Sequence, residues 1–427
     1  MLSLLKNFLQ KNLSLSTKLF LKEWLATLTR SSRYRLRQHL DSENGRRGLE
    51  SSRPEQPMIL VCDERIPSPD RDAGSARMFM ILNTLAKENG VVFLPFNRPQ
   101  GIEYERALWD IGIETADAID YRRLLKQRRF AVAILSRPAI AGAMLRRVRR
   151  ADPTLKIIYD MLDVHHLRAE REAALTGESR AVRESEALRR LETRLGRAAD
   201  LIWCGSSPDQ ALMARIAPSV PSVVVPTIHR LHERGLRFAE RKQLLFVGSF
   251  SHRPNEDAVH FFGREVMPLI RKSLPGIELL VVGGNAPPEF AAYASSGVRV
   301  LGFVPDLDPI VAGCRVFVAP IRFGSGVNGK IGEALSYGLP VVTTTIGAEG
   351  WNFTDGEQVL IADAPADFAA AVVRLYEDAD LWEKLADAGY RHIAENFTPE
   401  VLGDVINESV RNLVGRTKTR AAVGTDR

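Results

Sequence analysis

Val316-Phe-Val-Ala-Pro-Ile-Arg-Phe-Gly-Ser-Gly-Val-Asn-Gly-Lys-Ile-Gly-Glu-Ala-Leu-Ser-Tyr-Gly-Leu-Pro-Val-Val342 packs a strand, a glycine loop, a helix and a second strand into one short stretch. Val316 to Ala319 is an apolar run of buried-strand length, Gly324, Gly326 and Gly329 form the loop, and Val341 begins another apolar run. The pattern predicts a helix opening near Gly329. The first turn of such a helix leaves backbone N–H groups without intrahelical partners and presents the positive end of its dipole. That combination binds anions. Lys330 agrees, because a cation in a first turn opposes the dipole and is better tolerated with an anion nearby. A turn that only lets a helix pack closely on its sheet is the plainer alternative, but three glycines with Arg322 and Lys330 favour the anion.

The loop matches most of the Gly-x-x-x-x-Gly-Lys-Ser/Thr phosphate loop, from Gly324 to Lys330. Ile331 stands where a hydroxyl should hold magnesium, and no apolar strand ending in Asp follows. The spacing therefore points to a phosphate site and away from a magnesium-dependent NTPase. Lys330 and Glu333 lie three apart on one helix face. They form either a surface ion pair or a division of labour, with Lys330 on a phosphate and Glu333 accepting from a hydroxyl pair such as a ribose.

Working outward, apolar strand-like runs alternate with helical stretches from Met58 onward: 59–62, 91–95, 131–135, 156–159, 201–204 and 222–225, then, after a polar connection over 229–242, 244–247, 278–282, 298–300, 316–319, 341–344 and 359–361. Continuous apolar runs between helices imply parallel sheets covered on both faces. The expected helices include 75–87, 255–272, 367–376 and 381–396, and 168–197 is one long surface helix or a helix pair. The pattern predicts an α/β fold of two Rossmann-like units of similar size, over 58–228 and 243–397, with a tail over 398–427. A cleft between domains is a favoured place for a ligand.

The 427 residues suffice for two sizeable cores, and 45% hydrophobic with 26% charged is an ordinary globular composition. The net charge of +6 resides in residues 1–56, which hold 11 Lys+Arg and 5 Asp+Glu, so the body is formally neutral. That argues against nucleic acid as a partner. Residues 2–28 have helical apolar spacing with lysines elsewhere around the helix, and arginines follow to Arg37. The segment is expected to lie on an anionic membrane surface or to pack on a partner, with 41–57 as a linker. Cys62, Cys204 and Cys314 have neither metal-ligand nor disulfide-framework spacing, no run approaches membrane-span length, and a cytoplasmic location, peripheral on the membrane, is expected.

Several motifs together resemble the family 4 glycosyltransferases, the group 1 type of GT-B fold. They are Phe246-Val-Gly-Ser-Phe-Ser-His-Arg-Pro-Asn-Glu-Asp-Ala258, Val281-Val-Gly-Gly284, Gly302-Phe-Val-Pro-Asp306, the opening stretch, Asp63 to Ser75, and Tyr159-Asp-Met-Leu-Asp-Val-His-His-Leu-Arg168. The resemblance implies a retaining, metal-independent transferase with no cofactor, taking a UDP- or GDP-linked sugar on the second domain and a glycan or lipid-linked acceptor on the first. Surface polysaccharide or glycolipid assembly would be its setting. It implies donor contacts from Gly248, Ser249, Arg253, Ser325, Gly326, Val327, Asn328, Gly329 and Glu333. In the family's Glu-x7-Glu pattern, Glu333 is the second Glu and holds the ribose. Ser325 stands in place of the first, which contacts the transferred sugar. The Arg expected after the first strand of the second domain is absent, so Arg253, Arg322 and Lys330 are expected to supply the diphosphate's positive charge. Lys330, Arg322 and His165 are the expected catalytic residues, and Gly74, Asp160, Asp163 and His166 the acceptor side. Asp306-Leu-Asp308 matches a metal-binding Asp-x-Asp only superficially, and Asp306 is expected to cap a short helix. Two other classes keep the same motifs: a non-catalytic GT-B scaffold, which Ser325 would suit, and a GT-B epimerase or phosphorylase.

Overall fold

A computed structural model of the chain describes residues 56–97, 102–117 and 121–423. The amphipathic segment expected over 2–28, its basic continuation to Arg37 and nearly all of the linker over 41–57 lie outside the described residues.

Seven parallel strands build the first sheet: β1 (Met58–Arg65), β2 (Gly90–Asn97), β3 (Glu114–Thr115), β4 (Val132–Ser136), β5 (Lys156–Asp160), β6 (Leu201–Cys204) and β7 (Ser222–Val224), in the order β3-β2-β1-β4-β5-β6-β7. Six build the second: β8 (Gln243–Val247), β9 (Leu279–Val282), β10 (Val298–Gly302), β11 (Cys314–Ala319), β12 (Val341–Thr343) and β13 (Leu360–Ile361), in the order β10-β9-β8-β11-β12-β13. Central strands such as β4 are buried along their whole length because helices cover both faces. In each sheet the chain runs outward from its first strand and then restarts on the other side, at β4 and at β11. Ligands bind beyond the carboxyl ends of strands at such a reversal. The two reversals face each other across the cleft.

The differences from expectation have local causes. Strand β3 is two polar residues, Glu114 and Thr115, paired to Val92 and Phe93, and carries no apolar signal. The helix expected over 255–272 is Arg253–Phe261 and Met267–Ser273, joined by a π-helical turn over Phe262–Val266. Pro268 in the following turn has no N–H to give, and a wider turn accommodates the lost bond. The charged segment is a helix pair, His165–Thr176 and Ser179–Ala198, broken at Gly177, whose φ of 69° is left-handed.

Helix Pro399–Val423 returns to the first domain, where Leu402, Ile406, Val410 and Leu413 join the core formed by Ile59, Val61 and Trp203. Trp203 Nε1 donates to Ser409 Oγ at 3.1 Å. Among the described residues no helix is long and apolar enough to cross a membrane.

Candidate functional site

Loops at the carboxyl ends of both sheets enclose a cleft of about 1850 Å³, larger than most single-ligand pockets. The loop between β11 and helix Gly329–Ser336 forms its floor. It is pressed against the first domain: a Cβ on Gly329 would lie 2.6 Å from Ala73 Cβ. Gly326 has φ +69°, and a Cβ there would lie 2.8 Å from Asp163 Cβ. Only glycine meets both demands at 326.

Asn328 precedes the helix but does not cap it with its side chain. Its Oδ1 instead accepts from Lys330 Nζ at 3.0 Å. Among the described residues no carboxylate pairs with Lys330, and burial pushes its pKa from 10.5 down to about 8. The ammonium is thus partly buried, with Asn328 as its hydrogen-bond acceptor. Nearby, His252 is pushed down to about 3, first by burial and then by the positive charges of Arg168 and Lys330. Cations thus gather at this end of the cleft.

Glu333 lies one turn further along the helix. Burial favours its neutral form, but hydrogen bonds from His229 and His232 outweigh that and hold it at about 2. His229 Nδ1 is 3.3 Å from Oε2, and His232 Nε2 is 3.5 Å from Oε1. Ser325 Oγ donates across the cleft to Asp163 Oδ2 at 2.9 Å, and Arg168 Nη1 donates to the same oxygen at 2.6 Å. His165 Nδ1 lies 2.9 Å from Asp163 Oδ1. Burial opposes the Asp163 charge, yet Arg168, His165 and Ser325 hold its carboxyl well below the usual range.

The cleft is lined by Gly74, Asp163, His165, Gly248, Ser249, Ser325, Gly326, Val327, Asn328, Gly329, Lys330 and Glu333. Four expected site residues are elsewhere. Asp160 is fully buried, held bidentately by Arg77 at 2.8 and 3.0 Å, and accepts from Ser136 Oγ at 2.8 Å. His166 is buried with Nδ1 2.6 Å from Glu192 Oε2. Arg322 is forked onto Asp257, with Nε to Oδ2 at 2.9 Å, and its guanidinium lies 4.8 Å from the Phe261 ring centre. Arg253 reaches across the domain seam to Glu172 at 2.5 Å and Glu178 at 3.5 Å. In each case a carboxylate or cation distant in sequence takes up the charge. Asp306 Oδ1 accepts from the Asp308 amide at 3.1 Å, and Tyr337 Oη donates to Asp308 Oδ1 at 2.6 Å.

Other cleft residues were not singled out from sequence. Arg137, at the end of β4, has φ +65° and an Nε–Asp63 Oδ1 contact of 2.8 Å. A bulky residue held there is strained, and the strand–Arg–Pro order was its only trace. His252 lies in the Phe246–Ala258 motif, beside the implied donor contacts Gly248, Ser249 and Arg253. His229 and His232 belong to what reads as a polar connection.

Residues 241–378 match the family model described as Glycosyl transferases group 1. Over 139 residues the chain is 30% identical to the lipopolysaccharide core biosynthesis glycosyltransferase LpsE of Rhizobium meliloti (strain 1021), covering 31% of this chain and 41% of that protein. Over 176 residues it is 26% identical to an uncharacterized 44.6 kDa protein in the cps region of Klebsiella pneumoniae, covering 39% and 45%. The chain thus spans less than half the length of these curated relatives. Among solved structures, Anabaena Alr3699/HepE in complex with UDP and glucose superposes with a TM-score of 0.62 at 13% identity, covering 83% of this chain and all of that one. The fold is GT-B.

Proposed function

We propose that this protein is a family 4 type glycosyltransferase that moves a sugar from a UDP- or GDP-linked donor on the second domain to an acceptor hydroxyl on the first. The observation that carries the reading is Lys330, a partly buried ammonium with no carboxylate partner among the described residues, one turn before Glu333 on an uncapped helix. A nucleoside diphosphate supplies what both groups lack: an anion for Lys330 and the helix dipole, and a hydroxyl pair for Glu333. Charge builds on the diphosphate as the glycosidic bond breaks, and Lys330 with the loop amides meets it in place. The proposal includes retention of anomeric configuration and leaving-group stabilisation by these groups in place of a metal ion. His165, held through Nδ1 by Asp163, orients the acceptor hydroxyl. The lipopolysaccharide relative supports a surface polysaccharide or glycolipid product, and the basic segment 2–37 adds a membrane-facing element to that setting.

A panel of UDP- and GDP-sugars, incubated with the protein without acceptor and followed by calorimetry and nucleotide release, tests the reading. Tight binding with slow release of the nucleoside diphosphate is expected. Isomerised sugar would indicate an epimerase, binding with no turnover a scaffold, and no binding of any nucleotide would remove the proposal.

A further inference from the structure

The contact between Glu333 and the connection joining the two domains has a consequence for how a donor is held. His229 and His232 lie on that connection, yet both rings turn back onto helix Gly329–Ser336 and meet opposite oxygens of one carboxylate. We propose that His229 and His232 are positioning residues that orient Glu333 so that its two remaining acceptor sites face a vicinal diol, the ribose of the donor nucleotide. The inference rests on the donor reading above.

Both rings are fixed on several sides. The His229 amide donates to Phe397 O at 2.8 Å, so the two passages of the chain between the domains meet at this residue. Its ring occupies a slot left by Gly332, where a Cβ would lie 2.4 Å from His229 Nε2. Thr227 Oγ1, 3.2 Å from Nε2, donates to that nitrogen in the neutral ring, which leaves the proton on Nδ1 to be donated to Glu333. The tautomer is assigned from this network. The His232 amide donates to Ser336 O at 3.0 Å, and the Tyr390 hydroxyl donates to His232 O at 3.2 Å. The His232 ring stacks on Tyr337 with centroids 3.7 Å apart and planes 14° apart.

An ionised carboxylate offers about four lone-pair sites. His229 takes one site on Oε2 and His232 Nε2 lies against Oε1 at 3.5 Å, which leaves one site open on each oxygen. A single hydroxyl would use only one of these, whereas two adjacent hydroxyls use both. Glu333 is still 44% exposed, so its free sites are accessible from the cleft. Without the histidines the side chain regains its rotamers and the geometry for a diol is no longer held in advance.

Calorimetry with UDP or GDP, whichever the wild type binds, and with its 2′-deoxy analogue tests this. Wild type should prefer the ribonucleotide by about tenfold, the value of one hydrogen bond to a charged acceptor. In His229→Leu and His232→Leu that ratio should fall toward one while affinity for the 2′-deoxy nucleotide stays within about twofold, which also reports that the site is folded. His229→Asn, which replaces the Nδ1 donor, and His232→Gln, which replaces the Nε2 donor, should restore the ratio. An unchanged ratio in the leucine variants, or an equal loss for both nucleotides, would overturn the inference. A wild type that binds nucleotide without any 2′-hydroxyl preference would do so as well, leaving the donor reading intact. A wild type that binds no nucleotide would overturn both.

Discussion

The substitution Lys330→Met separates an unpaired cation kept for a ligand from one kept for the fold. The ammonium sits 5.7 Å from the Phe246 ring centre, with Asn328 Oδ1 as its hydrogen-bond acceptor. A methionine side chain would retain most of the apolar contact and remove a charge that burial disfavours, so the empty protein should keep or raise its melting temperature. Nucleoside diphosphate affinity should fall. A hydrogen bond to a charged group is worth about 1.5–3 kcal/mol, which corresponds to roughly 10- to 150-fold. The wild type should also show a pH dependence that the variant lacks. With a pKa of about 8, the ammonium is roughly 90% protonated at pH 7 and about 3% at pH 9.5. Only the cation favours a diphosphate, so wild-type affinity should drop by about thirtyfold over that interval. The sign follows from the lowered pKa: binding is strong below about 8 and weakens above it. Glu333, held at about 2, stays ionised throughout and adds no slope. Calorimetric titration at the two pH values, with thermal melts of the empty proteins, makes the comparison. A methionine variant that binds within about twofold of wild type, or a wild-type affinity flat across this range, would refute the placement of the diphosphate on Lys330.

Arg171 joins the domains by donating to Gly324 O at 2.8 Å and pairing bidentately with Glu349, Nη2 to Oε1 at 2.9 Å. Arg171→Ala should cost the closed arrangement about 2 kcal/mol, roughly a thirtyfold shift toward open forms, and enlarge the radius of gyration in small-angle scattering. An unchanged scattering curve would show that the domains are held without this clasp. Ile406 is fully buried in the first-domain core although it lies on the last helix. Ile406→Ala should destabilise that domain by about 2–5 kcal/mol, and a melting temperature equal to wild type would show that the helix does not support it.

The two α/β domains were legible because a buried parallel strand between helices leaves a continuous apolar run, and twelve such runs appear in order along the chain. The strand without that mark, Glu114–Thr115, exists only through its pairing with β2. The same contrast divides the site. Gly326, Gly329, Lys330 and Glu333 were readable together because covalent spacing and one helical turn place them, whatever the rest of the chain does. Charge, by contrast, says only that a side chain needs a partner. Arg322, Arg253 and Asp160 looked free in sequence, and Asp257, Glu172 with Glu178, and Arg77 claim them from far along the chain. His229 and His232 looked like a polar connection until folding set them against Glu333. The sequence by itself determined twelve of the thirteen strands, the loop and the face of the helix that carries Lys330 and Glu333, since these follow from local periodicity and backbone stereochemistry. Which of the many charges remained unpaired was decided only by the tertiary structure, because Coulombic and hydrogen-bond pairing depends on separation in space and ignores separation along the chain.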